Sequence, residues 1–534
     1  MPSIADLVVA RLAEAGVHTL FGMPGGGSNL DLIEAAGRAG LPFVLSHTET
    51  AGALMACAQA ELTGHSGACL ATIGPGVASL VNGAAHASLD RVPLMLLTDA
   101  MPASAHKYQH QRINHGELLS SVTKASFTLG VDGADEIFTH ALRLATAPPR
   151  GPVHVDIAPD VSRQRATATA RRVAVPAPAH SASPSLEAPF RKLFAAARRP
   201  LVIAGLGVQD SRDADALRTL CERHGIPALV TYKAKGVISD EHPLFSGVFT
   251  HGALEQPIVE QADLILGVGL DPVEFLPRPW EYTARCILLT RHWVTEQCHM
   301  PGAVDLIGDL PDSLRDVSEC LPDSTDWKRG EIRAHAERQR AALRVTSNGW
   351  APYRVVEVAS NILGPHVQVT VDAGAHMLPI MGLWPATRPH QILISNGLST
   401  MGFALPAAIG AALLDRTQRV VALTGDGGLL MCLAELATLA RENLKVIVIV
   451  FNDRSLSLIR IKQERLGYPP AAMSLDGIDW QAAAATFGVP ASRAHNDDEL
   501  AECLDHANAA NGPAVVEAVI DPSGYPATLR ALRG

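Results

Sequence analysis

The sequence predicts an α/β protein of three domains, each a mostly parallel sheet flanked by helices, with similar outer domains and a Rossmann-like middle one. Three observations carry this. A length of 534 residues suggests three or four domains at about 100–200 residues each. A hydrophobic fraction of 47% and the absence of a Gly-X-Y period exclude disorder and collagen. Short β-rich runs alternate with Ala- and Leu-rich helical stretches for most of the length, the pattern of parallel α/β domains. The alternation breaks twice. From Ala166 to Pro189 the composition shifts to Ala, Pro, Ser and Arg, as expected of a linker, and a more charged break lies around Asp323 to Pro352. The domains are therefore placed at residues 1–165, 190–325 and 350–534.

Composition also removes whole classes of function. With 44 Lys and Arg against 54 Asp and Glu, the net charge is −10, and no basic stripe offers a nucleic acid its phosphate contacts. The N-terminus carries Asp6, Arg11 and Glu14 where a signal peptide needs its apolar stretch, and reads as an amphipathic helix. Apolar runs such as Val446 to Phe451 fall far short of the roughly 18 residues of a membrane span. The 8 cysteines include no Cys-x-x-Cys pair, so reduced, buried thiols in a cytoplasmic protein are expected.

Within the first and third domains, Leu89-Asp-Arg-Val-Pro-Leu-Met-Leu-Leu-Thr-Asp99 is similar to the stretch from Leu414 to Asp426. Each follows a small-residue helical stretch near a Gly-rich turn, which suggests a duplicated domain and a ligand site shared between the copies. The middle domain opens on a strand and turn, Leu201 to Asp210, whose Gly205-x-Gly207 lacks the third glycine of the dinucleotide fingerprint. It reads as a scaffold without a bound nucleotide.

The most informative segment runs from Arg419 to Asp453. It reads as a strand ending at Thr424, a Gly-rich turn, a helix from about Leu429 to Glu442, and a second strand from Val446 to Phe451. A right-handed crossover makes these strands parallel, so Asp426 and Asp453 both emerge at the carboxyl edge, where open α/β sheets bind ligands. Two carboxylates suit Mg²⁺, which takes few protein ligands and completes its octahedron with phosphate and water. Gly427 and Gly428 bring backbone amides to a helix start that favours an anion. A metal beside a helix N-terminus points to a diphosphate.

Gly425-Asp426-Gly427, the 24 residues from Gly428 to Phe451, and Asn452-Asp453 resemble the cofactor motif of thiamine-diphosphate-dependent enzymes of the acetohydroxyacid synthase and pyruvate decarboxylase type. The resemblance implies thiamine diphosphate and Mg²⁺ as cofactors, with the metal held by Asp426, Asp453 and the Ser455 carbonyl; the family commonly has Asn-Asn where this chain has Asn452-Asp453. It extends over nearly the whole chain. Phe21-Gly-Met-Pro-Gly25-Gly26 is similar to the family's first glycine turn and Gly74-Pro75-Gly76 to its second. His47-Thr48-Glu49 resembles the segment that supplies the catalytic glutamate, with one extra residue between His and Glu, and assigns that role to Glu49. A carboxyl bonded to the aminopyrimidine N1′ drives the imino tautomer that takes the thiazolium proton, and such relays contribute about 10²–10⁴-fold.

By the same resemblance, the Ser399 carbonyl accepts from the aminopyrimidine 4′-amino group and Met401 is the fulcrum between the cofactor rings. Gly374 and His376 match a diphosphate-contacting loop in which Ala375 replaces a common Gln. Gln111 matches the Gln placed near the substrate in carboligases. The outer domains thus become pyrimidine- and diphosphate-binding. Active sites are expected between two copies of the chain, in a homodimer or homotetramer.

The first glycine turn, Gly25-Gly-Gly-Ser-Asn, lacks the paired histidines of pyruvate decarboxylases and fits the synthase branch. The middle domain continues Leu270-Asp-Pro-Val-Glu-Phe where acetohydroxyacid synthases carry an Arg-containing segment, which leaves FAD open. The leading expectation is decarboxylation of a 2-oxo acid with carboligation to a carbonyl acceptor. A non-ligating 2-oxo acid decarboxylase, an acyloin lyase acting on a 2-oxo acid or aldehyde, and a catalytically silent binding homologue are the alternatives.

Overall fold

A computed structural model describes residues 2–166, 187–294 and 300–534. The stretch expected to be a linker lies almost entirely outside the described residues. The chain forms two compact units. One comprises Met1–Ala179, Gly397–Gln418 and Cys432–Val446; the other comprises His180–Asn396, Arg419–Met431 and Ile447–Gly534.

The first unit is built on a six-stranded sheet of β1 (Leu20–Gly22), β2 (Phe43–Leu45), β3 (Gly67–Ala71), β4 (Leu94–Asp99), β5 (Ala125–Thr128) and β6 (Pro152–Ile157), in the order β2-β1-β3-β4-β6-β5. All its pairings are parallel. β3 and β4 are buried at every residue, as strands covered on both faces must be. The helix Glu49–Thr63 is buried on nearly every side, which its run of Ala, Gly, Met and Cys permits. It packs against the helix Ala404–Leu414, itself Ala- and Gly-rich, so closely that a Cβ at Gly410 would lie 2.3 Å from the Met55 carbonyl oxygen. Gln59 Nε2 donates to the Gly410 carbonyl across this contact at 3.1 Å.

The second unit holds two further sheets. β7 (Pro200–Ala204), β8 (Ala228–Val230), β9 (Phe245–Val248), β10 (Leu264–Val268), β11 (Arg285–Thr290) and β12 (Val304–Ile307) pair in the order β12-β11-β10-β7-β8-β9, the doubly-wound arrangement expected of the middle domain. β13 (Gln368–Val371), β14 (Ile392–Ile394), β15 (Val420–Gly425), β16 (Val446–Asn452), β17 (Ala491–Ala494) and β18 (Ala514–Val519) pair in the order β14-β13-β15-β16-β18-β17. Numbered within itself, this sheet repeats the strand order of the first. The outer domains are therefore topological copies.

The repeat has different partners from those the sequence suggested. The stretch from Leu89 leads into β4, the fourth strand of its sheet, whereas the stretch from Leu414 leads into β15, the third of its own. They are alike because each is a small-residue helix followed by a buried apolar strand. A second correction concerns the helix after β15. It is two helices, Asp426–Met431 and Glu435–Arg441, broken at the point where the chain passes from one compact unit to the other. Glu435 and Thr438 of the second helix fix the loop before Glu49: His47 N–H donates to Glu435 Oε1 at 2.8 Å, and His47 Nδ1 lies 3.0 Å from Thr438 Oγ1. None of the seven described cysteines forms a disulfide, and Cys57, Cys69, Cys221 and Cys286 are buried. Among the described residues, no helix is long and apolar enough to cross a membrane.

Candidate active site

Both outer sheets reverse their direction of growth between the first strand and the third, and ligands of open α/β sheets bind at the carboxyl end of such a switch point. In the third sheet the turns after β13 and β15 meet there. Asp426 opens the helix after β15, and its Oδ1 accepts from the Gly427 N–H at 2.7 Å while its Oδ2 is buried without a partner. Burial pushes this carboxyl up to about 6 despite the backbone amides around it. Asp453, just past β16, accepts from Ser455 N–H at 2.9 Å and from Ser457 Oγ at 2.7 Å. Burial first, and the Asp426 charge second, push it up to about 7. The Asp426 charge thus acts on Asp453, and the hard oxygens of two such carboxylates suit Mg²⁺. Asn452 faces elsewhere, donating from Nδ2 to Glu517 Oε1 at 2.6 Å.

The backbone around this pair is tight. A Cβ at Gly428 would sit 2.2 Å from Asp372 Oδ2, so no other residue fits without moving the turn. The His376 ring fills the space beside Gly374 and Gly425 and stacks on Phe451 at 5.4 Å. Burial pushes this imidazole down to about 3, so it is neutral, and its Nε2 has no partner. An unpaired ring nitrogen and an unpaired carboxylate oxygen, both buried, fit a metal-bound anion that supplies what each lacks.

In the first unit, Glu49 is the first residue of its helix and only 7% exposed. The extra Thr48 caps that helix, its side chain accepting from the Ala51 N–H at 3.1 Å. A Cβ at Gly76 would lie 2.9 Å from Glu49 Oε1, so the second glycine turn forms one wall of the acid's site. Gln111 is exposed, with φ of +63°, and lines a cleft with Lys107, Arg112, His115 and Asp156. Ser399, also at positive φ, and Met401 lie in a loop anchored by Gly397 N–H to Asp90 Oδ1 at 2.6 Å and by Thr400 Oγ1 to Asn82 Oδ1 at 3.1 Å. A Cβ at Gly25 would meet Thr72 and Asp99, whereas Gly26 has open space around it. Asp99 accepts from Ser28 Oγ and the Asn29 N–H, both at 2.7 Å, and so fills the start of the helix Ser28–Ala39 from inside the chain.

Three family models match in chain order: the thiamine pyrophosphate enzyme N-terminal TPP binding domain over residues 2–118, the central domain over 189–317, and the C-terminal TPP binding domain over 372–518. The chain belongs to the thiamine pyrophosphate enzyme family. Similar curated proteins extend over nearly its full length. An acetolactate synthase of Bacillus subtilis (strain 168) is 29% identical over 97% of this chain and 93% of its own. A catabolic acetolactate synthase of Raoultella terrigena is 27% identical over 97% and 95%. A chloroplastic acetolactate synthase of Arabidopsis thaliana is 28% identical over 96% and 81%.

Within this thiamine pyrophosphate enzyme, Asp426, Asp453, Ser455, Gly427, Gly428, Gly374 and His376 fall in the unit that carries the C-terminal TPP binding domain's sheet. Glu49, Gln111, Gly25, Gly26, Ser399 and Met401 fall in the other. Ser457, which bonds Asp453, and Tyr525, buried within electrostatic reach of both aspartates, escaped sequence reasoning because no motif marks them.

The middle domain's glycine turn is satisfied from within. The Leu206 N–H donates to Glu274 Oε2 at 2.9 Å, Thr231 Oγ1 donates to Oε1 at 2.5 Å, and a Cβ at Gly205 would lie 2.6 Å from the same carboxylate. Burial pushes Glu274 up to about 8, against the bonds from Thr231 and the Leu206 amide.

Proposed function

We propose that this chain is a thiamine-diphosphate- and Mg²⁺-dependent enzyme that decarboxylates a 2-oxo acid and joins the resulting fragment to a carbonyl acceptor, as acetolactate synthases do. The observation that carries the reading is the buried Asp426–Asp453 pair, with one oxygen unpartnered, beside the unpartnered ring nitrogen of His376. Asp426, Asp453 and the Ser455 carbonyl would hold Mg²⁺. His376 would meet the diphosphate through Nε2, beside the backbone amides of Gly427 and Gly428. When bound, thiamine diphosphate supplies a thiazolium carbon that adds to the substrate carbonyl and keeps the electron pair released with CO₂.

The remaining work falls to this chain's side chains. Glu49 donates a proton at the pyrimidine N1′ and takes it back, its burial keeping water from competing. The Ser399 carbonyl would accept from the 4′-amino group, and Met401 would pack against the cofactor rings. Gln111 orients the substrate at the mouth of its cleft. The Glu274 carboxyl that fills the Gly205 turn supports a scaffold role for the middle domain. In this reading each site joins the Glu49 half of one copy to the Asp426 half of a second, so a homodimer is the smallest active form.

Two experiments test this. A panel of 2-oxo acids, scored for both CO₂ and ligated product, should yield ligation; aldehyde alone would leave a simple decarboxylase. Co-expression of Glu49→Gln with Asp426→Asn, each inactive by itself, should restore part of the activity through mixed dimers. Wild-type turnover by Glu49→Gln would remove the proton relay from the mechanism.

A further inference from the structure

Two histidines and an aspartate that the proposed chemistry leaves unused form a hydrogen-bond chain in the first unit, and atoms whose roles are fixed set its direction. The Gly74 N–H can only donate, and it lies 3.3 Å from His115 Nε2. Nε2 is therefore the acceptor, and the ring proton sits on Nδ1, which donates to Asp156 Oδ1 at 2.8 Å. Thr98 Oγ1 gives its one proton to the same oxygen at 2.5 Å, so its own oxygen accepts from His154 Nε2 at 2.7 Å. Ser126 Oγ closes the chain at 3.0 Å from His154 Nδ1. Burial alone would raise the Asp156 carboxyl, but the bonds from His115, His154 and Thr98 outweigh it and hold the group well below the usual carboxylate range.

The chain ends on the corner that separates the two side chains nearest the chemistry. Gly74 stands at φ +64°, and a Cβ there would lie 2.7 Å from the Gln111 carbonyl oxygen. Two residues on, Gly76 gives Glu49 Oε1 its space. His115 also follows Gln111 by four positions in the same irregular segment and opens the short helix His115–Leu119. A single buried ring, 7% exposed, thus ties the end of β6 to the Gln111 segment and to the Glu49 wall.

We propose that His115, held by Asp156, is a positioning residue for the reaction: it fixes the Gly74–Gly76 corner so that Glu49 and Gln111 keep their places. The inference rests on the reading of Glu49 given above. Its effect belongs in kcat, since a displaced relay costs rate with little loss of ground-state binding, and small misplacements cost about 10²-fold. Glutamine can replace the ring in kind, accepting from Gly74 with its carbonyl and donating to Asp156 with its amide. Leucine cannot.

The test compares His115→Leu with His115→Gln. In the cofactor-free protein, hydrogen–deuterium exchange at Gly74 and Gly76 should quicken at least tenfold in His115→Leu and stay near wild type in His115→Gln. In the loaded enzyme, kcat should fall tenfold to a hundredfold in the leucine variant with KM changed less than threefold, and glutamine should restore most of it. Unchanged exchange, unchanged kcat, or equal loss in both variants overturns the inference. Full turnover by Glu49→Gln is a different result, since it would overturn the reading of the acid and leave the exchange difference standing.

Discussion

The glycine turns of the middle and third domains start from the same local chemistry and end in opposite states. Each follows a buried parallel strand, and in each a carboxylate lies against a glycine, Glu274 against Gly205 and Asp372 against Gly428. In the middle domain the carboxylate is Glu274, and Leu206 and Thr231 satisfy both of its oxygens. In the third domain Asp426 keeps one oxygen unpartnered, with a second buried carboxylate nearby. The first domain resembles the middle one, because Asp99 fills the helix start beside Gly25 and Gly27. A glycine turn therefore states only that something approaches the backbone closely. What approaches is decided by a residue far away in sequence, and of the three turns the third also carries a buried carboxylate oxygen without a partner.

The sharpest way to break this contrast is to empty the open turn. Asp426→Asn should abolish Mg²⁺-dependent binding of thiamine diphosphate and lower turnover by 10³-fold or more, read by calorimetric titration and by CO₂ release. The next effect is one of pH. Asp426 and Asp453 are raised to about 6 and about 7, above the ordinary carboxylate value of about 4. The stability they contribute is complete below that ordinary value and is lost as pH rises through the raised ones. The melting temperature of the metal-free protein should therefore fall between about pH 4 and 7. Mg²⁺ with thiamine diphosphate should cancel that fall, and the double variant Asp426→Asn, Asp453→Asn should flatten it.

The closed turns predict smaller and purely structural effects. Glu274→Ala leaves the Leu206 N–H buried without its partner and should destabilise the protein by about 1–3 kcal/mol in denaturant unfolding, with no flavin absorbance gained on adding FAD. A yellow preparation of either wild type or this variant would contradict the closed state. Asp99→Ala removes an acceptor from the start of the helix Ser28–Ala39 and should cost about 1 kcal/mol. Thiamine diphosphate affinity should remain within threefold of wild type.

The contrast also shows what could be read in the chain. Asp426 and Asp453 were legible because each stands at the end of an apolar run that must be a buried strand, and parallel strands bring their ends to one edge. Glu274 was not legible as the partner of Gly205, being 69 residues away with no periodicity joining them. The same holds for His115 and Asp156, 41 residues apart. The duplication was legible in kind but assigned to the wrong strands, because small-residue helices before apolar strands look alike wherever they occur. The break between Met431 and Glu435 interrupts a run with good helical composition, and only tertiary structure imposes it.

The close packing of the helix Glu49–Thr63 on the helix Ala404–Leu414 bears on how the protein is made. The first compact unit borrows two stretches that end at Val446, so part of its surface stays uncovered long after residue 179 has left the ribosome. At about 5–20 residues per second, the roughly 270 intervening residues take about 15–50 s. During that interval the helix carrying Glu49 is covered by the helix Pro75–Leu89 and by strands of its own domain, while the face that meets the helix Ala404–Leu414 has no cover. The nascent first domain therefore exposes an Ala-rich apolar helix face until its partner helix has been made.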